Sequence, residues 1–425
     1  MKYNLNDKPG IFPMFMYGLQ WWIVSIPCVV IMGIIVAQLH STDASGQIFY
    51  MQKLFGVMGI AMTAQVLWGH RLPIIIGPAS VLLIGILAAI SMGTAAIYTA
   101  IFVCGIFVAL LAFCGLLSHL QAIFTPRIII VILCLIAFTL APVILQLIFT
   151  NTGSASFQLF FALLLAFGMI LANRLLRGIW KSTVVLCGIL AGSFIYYSIE
   201  GFPLLPSLIP LPAAETHFWL WPLHFDGGVI LSFFFCFIAL IVNELGSIQA
   251  VGQMIGADNM EKRTTRGVGF IGLSNILSGI CGIIGPVDYS MSPGIIAATG
   301  CASRYTLIPA GLGLVICAFF PGFIQILNCI PGVVMGSVLL YLMSSQLSAG
   351  LQMLSRSKAV FDFNSGIIIG FPLMVALMLA FVPHEVIDRI PAFIRPIVGN
   401  GFVMGVIFVL LLEHIILKSP KQEKG

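Results

Sequence analysis

Two acidic residues of this sequence lie inside long apolar segments, where carboxyl groups are rare. Glu244 follows the run FFFCFIALIVN, and Asp288 lies in the stretch GPVDYSMSPGIIAATG. A charged side chain near the centre of a bilayer costs about 2.5–3.5 kcal/mol, so acids at that depth usually carry protons or bind ligands. The alternatives are structural: Glu244 could clamp two helices, and Asp288 could accept backbone N–H bonds. We treat Glu244 and Asp288 as candidate proton-coupling residues.

The composition places these acids in a membrane protein. Apolar residues make up 60% of the 425 residues, and charged residues make up only 8%. A water-soluble surface needs roughly a quarter of the residues to be charged, so lipid must be the main solvent of this chain. The net charge of +5 then reflects the placement of basic loops. We expect no nucleic-acid partner, no cofactor, no metal site and no enzymatic activity.

About fourteen apolar segments have about the length needed to cross roughly 30 Å of hydrocarbon as helices. The first half of the chain contains the segments near 14–37, 52–68, 73–92, 95–117, 127–149, 157–173 and 180–198. The second half contains the segments near 227–249, 268–284, 288–300, 305–328, 332–350, 364–382 and 399–417. Most Lys and Arg fall in the loops on one side, and the opposite loops keep only Lys53, Arg389 and Arg395. This asymmetry predicts a multi-pass protein with both termini in the cytoplasm, and we expect the membrane to be a bacterial inner membrane.

Two of these segments are interrupted by proline and glycine, and they occupy the same place in each half. LPIIIGPASV at 72–81 belongs to the third segment, and GPVDYSMSPG at 285–294 belongs to the tenth. Because units of seven spans enter the membrane in opposite orientations, the sequence predicts an inverted repeat. Broken backbone at membrane depth marks a midplane binding site. We expect Ser80 and Ser292 at the starts of the following half-helices, where backbone N–H groups can bind an electron-rich ligand atom.

The predicted organisation is an all-α polytopic protein in three parts. A first repeat covers residues 1–200, an outer connection covers 201–226, and a second repeat covers 227–425. A GxGxxG string that starts at Gly267 begins an apolar segment and follows no strand, so we interpret it as helix packing and not as dinucleotide binding. The seven histidines, His70 among them, lie at loops or segment ends, where solvated or interfacial side chains are expected.

Three motifs carry a resemblance to a known family. They are GHRLPIIIGPAS at 69–80, NELGSIQAVGQMIG at 243–256 and GPVDYSMSPGIIAATGCASR at 285–304. The run IPGVVMGSVLLYLMSSQLSAGLQML after residue 329 and the pair Gln20 and Trp21 extend the match over nearly the whole chain. The sequence therefore resembles the nucleobase-ascorbate transporter family, which contains the uracil and xanthine permeases.

The resemblance implies a fold and an activity. Spans 1–4 and 8–11 would form a core domain, and spans 5–7 and 12–14 a gate domain against which the core moves like an elevator. The protein would be a secondary active transporter, a proton symporter of a nucleobase such as uracil or xanthine, working as a homodimer in the lipid bilayer. The resemblance implies substrate binding by Glu244, Gln20, Ala79, Ser80, Tyr289, Ser290, Met291 and Ser292.

The signature of the tenth span departs from the family's pattern. Where the family has an acid or amide followed by Asn, this chain has Met291 and Ser292. A thioether donates no hydrogen bond and accepts only weakly, so the second side-chain clamp on a nucleobase is missing. Ile248 also replaces a polar residue four positions after Glu244. Two alternatives stay open: a same-fold transporter of a small anion or other solute, and a membrane receptor that transports nothing.

Overall fold

The computed structural model describes residues 1–41, 43–117, 123–149, 154–201, 222–357, 363–391 and 394–417. Regular structure in these ranges is almost entirely helical, with two short strands. The outer connection predicted at 201–226 lies for the most part outside the described residues.

The helices are numbered here in chain order. The first half contains α1 (Ile11–His40), α2 (Ala44–Leu67), α3 (Ser80–Ala89), α4 (Thr94–Phe113), α5 (Pro126–Thr139), α6 (Ala141–Ile148), α7 (Ala155–Leu175), α8 (Ile179–Ser182) and α9 (Val184–Glu200), with strand β1 (Ile76–Pro78) before α3. The second half contains α10 (Gly227–Ile255), α11 (Met260–Cys281), α12 (Ser292–Thr299), α13 (Leu307–Ala318), α14 (Pro321–Asn328), α15 (Gly332–Ser357), α16 (Phe363–Ala380), α17 (His384–Asp388), α18 (Arg395–Val398) and α19 (Gly401–Leu411), with strand β2 (Pro286–Asp288) before α12.

Each apolar segment predicted from the sequence coincides with at least one of these helices. Within the described ranges, seven helices are long and apolar enough to cross a membrane, or eight if one bent pair counts as a single span. Shorter apolar helices lie at Ser80–Met92, Val184–Glu200 and Gly401–Ile416. The chain is therefore a helical multi-pass membrane protein, and the count of fourteen spans stays a prediction.

One predicted span is not a straight helix. The sequence predicts a single span at 305–328, but α13 and α14 are bent by 88° relative to each other. Pro321 has no N–H group to continue a helix, and its ring disfavours helical backbone in the residue before it. The predicted segment is therefore a bent pair of helices and not one straight helix.

The helices pack in two groups. In the first group α1 lies against α2 and α13, α4 lies against α10 and α11, and α3 lies against α10. In the second group α15 lies against α5, α6, α7 and α9, and α16 lies against α5 and α19. Contacts of α1 with α9, and of α10 with α18 and α19, join the two groups.

Glycines allow α4 and α11 to approach each other closely. A Cβ atom at Gly272 would lie 2.5 Å from the backbone nitrogen of Ala109, and one at Gly105 would lie 2.8 Å from the backbone nitrogen of Ile276. Neither position leaves room for a methyl group against backbone, which is the role of small residues between membrane helices. The helix-packing interpretation of the GxGxxG string, which ends at Gly272, is confirmed.

Gly272→Ala is expected to lower the free energy of unfolding by about 1–3 kcal/mol, because the new methyl group overpacks the α4 backbone. Gly168→Ala in α7 is the matched control, since a Cβ there meets nothing within 4 Å. Both variants gain the same helix propensity, so the difference between them isolates the packing effect. Thermal unfolding in detergent measures both, and equal stability of the two variants would contradict the close packing of α4 on α11.

Candidate functional site

The two broken segments meet as a short strand pair. β1 and β2 run antiparallel with Gly77 opposite Val287, and every residue of both strands is buried. The pairing satisfies backbone groups that neither segment could satisfy alone at membrane depth. Because each strand leads directly into a helix, α3 and α12 both begin beside the pair. The predicted extended segments, and the predicted helix starts at Ser80 and Ser292, are confirmed.

Ser292 and Ala79 form part of the frame that holds the strand pair. The Ser292 hydroxyl oxygen accepts a hydrogen bond from the Ile75 N–H at 3.0 Å, and the hydroxyl group donates to the Tyr289 carbonyl oxygen at 2.9 Å. The Ala79 N–H donates to the Gly285 carbonyl oxygen at 2.9 Å. Both Ser292 and Ala79 are fully buried, so they support the site from within the protein.

A cavity of about 340 Å³ lies beside the strand pair and is lined by both groups of helices. The first group contributes Cys28, Ile31 and Met32 of α1, Ser80 of α3, Asn243 of α10, and Val287, Tyr289, Ser290 and Met291 of the second broken segment. The second group contributes Leu133 of α5 and Leu342, Met343, Ser345, Gln346 and Ala349 of α15. A ligand in this cavity would touch both groups at once.

The cavity lining is polar in places but carries no charged side chain among the described residues. The amide groups of Asn243 and Gln346 can each donate and accept hydrogen bonds, and the hydroxyl groups of Ser80 and Ser290 can do the same. Most other lining side chains are apolar, and several are thioethers, which adapt to irregular ligand shapes. Such a lining suits a compact, uncharged ligand with polar edges better than an ion.

The Tyr289 ring forms one wall of the cavity and lies against Gly77. Its hydroxyl group donates to the Pro78 carbonyl oxygen at 2.7 Å, which fixes the ring. A Cβ atom at Gly77 would lie 2.7 Å from Cε2 of the ring, so this ring position requires glycine. A fixed aromatic face on a cavity wall can stack on a planar ligand.

Glu244 and Asp288 do not line the cavity. Side chains alternate along a strand, so Asp288 faces away from the side to which its neighbour Val287 points. Glu244 Oε2 accepts a hydrogen bond from the Asp288 N–H at 3.0 Å, and Ser247 donates to the Asp288 carbonyl oxygen at 3.0 Å. Glu244 Oε1 and both Asp288 carboxyl oxygens have no hydrogen-bond partner among the described residues. The two acids thus form a buried pair behind the cavity wall.

His70 lies in the same buried space. Its Nε2 atom is 3.2 Å from Asp288 Oδ2, and neither side chain has any exposed surface. Its Nδ1 atom accepts a hydrogen bond from the Leu72 N–H at 2.8 Å, so the proton of the neutral ring is assigned to Nε2. The expectation that His70 is solvated or interfacial is wrong. After α2 the chain turns sharply at Arg71, whose φ of 57° is left-handed, and this turn carries the ring inward.

The predicted site residues occupy four different places. Ser80, Tyr289, Ser290 and Met291 line the cavity. Ala79 and Ser292 hold the strand pair, and Glu244 and Asp288 lie in the buried cluster. Gln20 is half-buried in α1 and is not part of the cavity lining.

The two amide residues of the cavity, Asn243 and Gln346, were not among the predicted site residues. Asn243 directly precedes Glu244, so a polar pair inside an apolar helix was a usable signal. Gln346 belongs to the polar cluster SSQLS at 344–348, which interrupts the apolar run of α15. Either interruption could have been interpreted as a polar patch that faces a cavity.

Known proteins resemble this chain in sequence and in fold. Residues 12–385 match the model of the Permease family of xanthine and uracil permeases. The chain is 26% identical to the nucleobase transporter PlUacP of Paenibacillus larvae, over 96% of this chain and 95% of that protein. It is 25% identical to the xanthine permease of Bacillus subtilis, over 92% of each. Its fold resembles the murine anion transporter Slc26a9 in the inward-facing state, with a TM-score of 0.60 and 14% identity over 96% of this chain and 69% of that chain.

Proposed function

The chain belongs to the Permease family of xanthine and uracil permeases, and on that premise we propose that it is a secondary active transporter of a nucleobase such as xanthine or uracil. The cavity of about 340 Å³, with its uncharged lining and its amide groups, carries this proposal. Relatives along nearly the whole chain are a nucleobase transporter and a xanthine permease, which supports the same substrate class.

We propose that the base lies against the Tyr289 ring with its polar edges toward Asn243 and Gln346. A nucleobase alternates N–H donors and carbonyl acceptors along one edge, and a carboxamide offers one donor group and one acceptor. The N-terminal backbone N–H groups of α3 and α12, beside Ser80 and Ser292, can add donors for carbonyl oxygens. Met291 would then contribute only an apolar contact, and the amide of Asn243 would take over part of the missing clamp.

We propose that the first group of helices is the core domain and the second group the gate domain. Both broken segments belong to the first group, so a bound base would move with that group as one body. The packing of α1 to α4 with α10 to α13, and of α15 with α5, α6, α7 and α9, supports this division. The inverted repeats at 1–200 and 227–425, the elevator motion and the homodimer remain parts of the proposal.

Proton symport is supported by the buried acids. Glu244 and Asp288 have no exposed surface and no cationic Lys or Arg partner among the described residues. Two neighbouring buried carboxyl groups without a counter-ion are stable only when at least one of them can take up a proton. The cluster touches the cavity wall through β2, so its protonation can be linked to substrate binding.

Binding by the purified protein tests the substrate class. Xanthine at about a hundred times its dissociation constant should stabilise the folded state by about 2.7 kcal/mol, and sulfate or bicarbonate should not. Gln346→Leu should weaken xanthine binding about tenfold, because a polar edge of the base loses its partner. Gln352→Leu is the matched control, since it makes the same change at an exposed position of the same helix.

Thermal unfolding with and without each compound measures the stabilisation and, in the variants, the loss of binding. If an anion stabilises the protein and no base does, the proposed substrate changes from a nucleobase to a small anion. The fold relative Slc26a9 is an anion transporter. Equal loss of binding in Gln346→Leu and Gln352→Leu would remove the assignment of the cavity as the binding site. Saturable binding without uptake into proteoliposomes would indicate a receptor.

A further inference from the structure

Three titratable side chains share the buried space behind the strand pair. Glu244 comes from α10, Asp288 from β2 and His70 from the connection between α2 and β1, and each is 0% exposed. Four of their polar atoms have no hydrogen-bond partner in the described ranges: Glu244 Oε1, His70 Nε2 and both carboxyl oxygens of Asp288. Buried polar atoms without partners are rare and costly, so a cluster with four of them indicates a function.

The two carboxyl groups cannot both be ionised in this space. Glu244 Oε2 lies 3.0 Å from the backbone nitrogen of Asp288, which brings the two acids together away from water. Burial penalises each negative charge, and repulsion between the two adds a further penalty. The pair therefore shares at least one proton, and its neighbours decide which acid holds it.

His70 approaches only one of the two acids closely. Since its Nδ1 atom is occupied by the Leu72 N–H, the hydrogen of the neutral ring is on Nε2, 3.2 Å from Asp288 Oδ2. Nε2 makes no hydrogen bond in the described structure, so the contact acts through the dipole of the neutral ring. A donor hydrogen next to one carboxyl group favours the ionised form of that group.

Among the described residues, the Lys and Arg side chains near His70 form no ion pair with Glu244 or Asp288. Arg263 of α11 donates to the carbonyl oxygens of His70 and Arg71 at 3.1 Å each, and it pairs with Asp258 at 3.2 Å. Its positive charge next to the His70 backbone disfavours a second proton on the ring. Arg71, Lys262 and Arg266 line a separate pocket with Gly69.

We propose that His70 is a positioning residue that keeps Asp288 ionised and thereby places the shared proton on Glu244. Oε2 of Glu244 already accepts the Asp288 N–H, so Oε1 is the atom that carries the proton. The use of this proton in transport rests on the proposed function. Its location is a property of the resting protein and can be measured without a substrate.

Infrared spectra of purified protein, produced with isotope-labelled glutamate or with isotope-labelled aspartate, test this location. Exposed acids are ionised at neutral pH, so the band of protonated carboxyl groups reports buried ones. In the wild-type protein, nearly all of this band should shift with labelled glutamate. In His70→Leu, about half should shift with labelled aspartate, because removal of the N–H dipole beside Asp288 changes the preference of the proton by about tenfold.

Two further variants distinguish a positioning role of His70 from a purely structural one. His70→Gln keeps an N–H donor and should restore the wild-type pattern. His40→Leu removes a half-buried ring that is hydrogen-bonded to Tyr98 and not next to an acid, and it should leave the pattern unchanged. The inference is overturned if labelled aspartate shifts the wild-type band, or if His70→Leu gives the wild-type pattern. The wild-type labelling decides where the proton lies even if His70→Leu does not fold.

Uptake of radiolabelled xanthine by the same preparations separates this inference from the proposed function. If the wild-type protein takes up no xanthine but its band shifts with labelled glutamate, the proton location stands and the substrate assignment fails. If it takes up xanthine but labelled aspartate shifts the band, the transport function stands and the role of His70 fails.

Discussion

Glu244→Gln is expected to abolish accumulation of xanthine driven by a pH gradient, while exchange of xanthine across the membrane continues. A glutamine side chain keeps the shape of Glu244 and still accepts the Asp288 N–H, but it cannot take up or release a proton. For one coupled proton, each unit of pH difference supports about a tenfold accumulation in the wild-type protein. The variant should reach a ratio of about one under the same gradient.

Proteoliposomes loaded with unlabelled xanthine measure exchange, and empty proteoliposomes under an imposed pH gradient measure accumulation. Glu261→Gln is the matched control, because Glu261 is exposed in the first turn of α11 and the substitution is the same. Accumulation by Glu244→Gln at the wild-type level would exclude Glu244 as the proton carrier. Loss of both exchange and accumulation would instead assign Glu244 to substrate binding.

Gly77→Ala is expected to weaken xanthine binding by about ten- to a hundredfold without unfolding the protein. The added Cβ would lie 2.7 Å from the Tyr289 ring, which must then rotate away from the cavity wall. Rotation breaks the hydrogen bond from the Tyr289 hydroxyl group to Pro78 and removes the flat surface on which the base would stack.

Gly246→Ala provides the comparison for this prediction. Gly246 lies in α10 beside Glu244, and a Cβ there meets nothing within 4 Å. Titration of both variants with xanthine, followed by thermal unfolding, separates binding from stability. Wild-type affinity in Gly77→Ala would show that the Tyr289 ring does not contact the ligand.

Much of this architecture could be predicted because membrane depth imposes strict rules on sequence. A helix has to be apolar for about twenty residues, so the apolar segments were visible directly. A break in such a segment needs proline, glycine or small polar residues, and 72–81 and 285–294 both show them. The strand pair and the helix starts at Ser80 and Ser292 follow from those breaks.

The arrangement around the site could not be predicted, because it depends on residues far apart in the sequence. His70 is buried next to Asp288, which lies more than two hundred residues later in the chain. The residues around His70 in the sequence do not indicate that contact. The cavity brings Asn243 of α10 and Gln346 of α15 into one lining, which only the packing of the two groups decides. Glu244 was correctly identified as buried, but its place behind the wall follows from its contact with the backbone of Asp288, 44 residues later in the chain.

The strand pair also sets a condition on how the protein is made. β1 ends at Pro78 and its partner ends at Asp288, which is about 210 residues later in the chain. At about 5–20 residues per second, the ribosome needs roughly 10–40 s to supply the second strand. During that interval the extended backbone of the first half has no partner strand and must wait in a bilayer or an insertion site that tolerates it. Biogenesis of the first half therefore cannot be completed until the second half has entered the membrane.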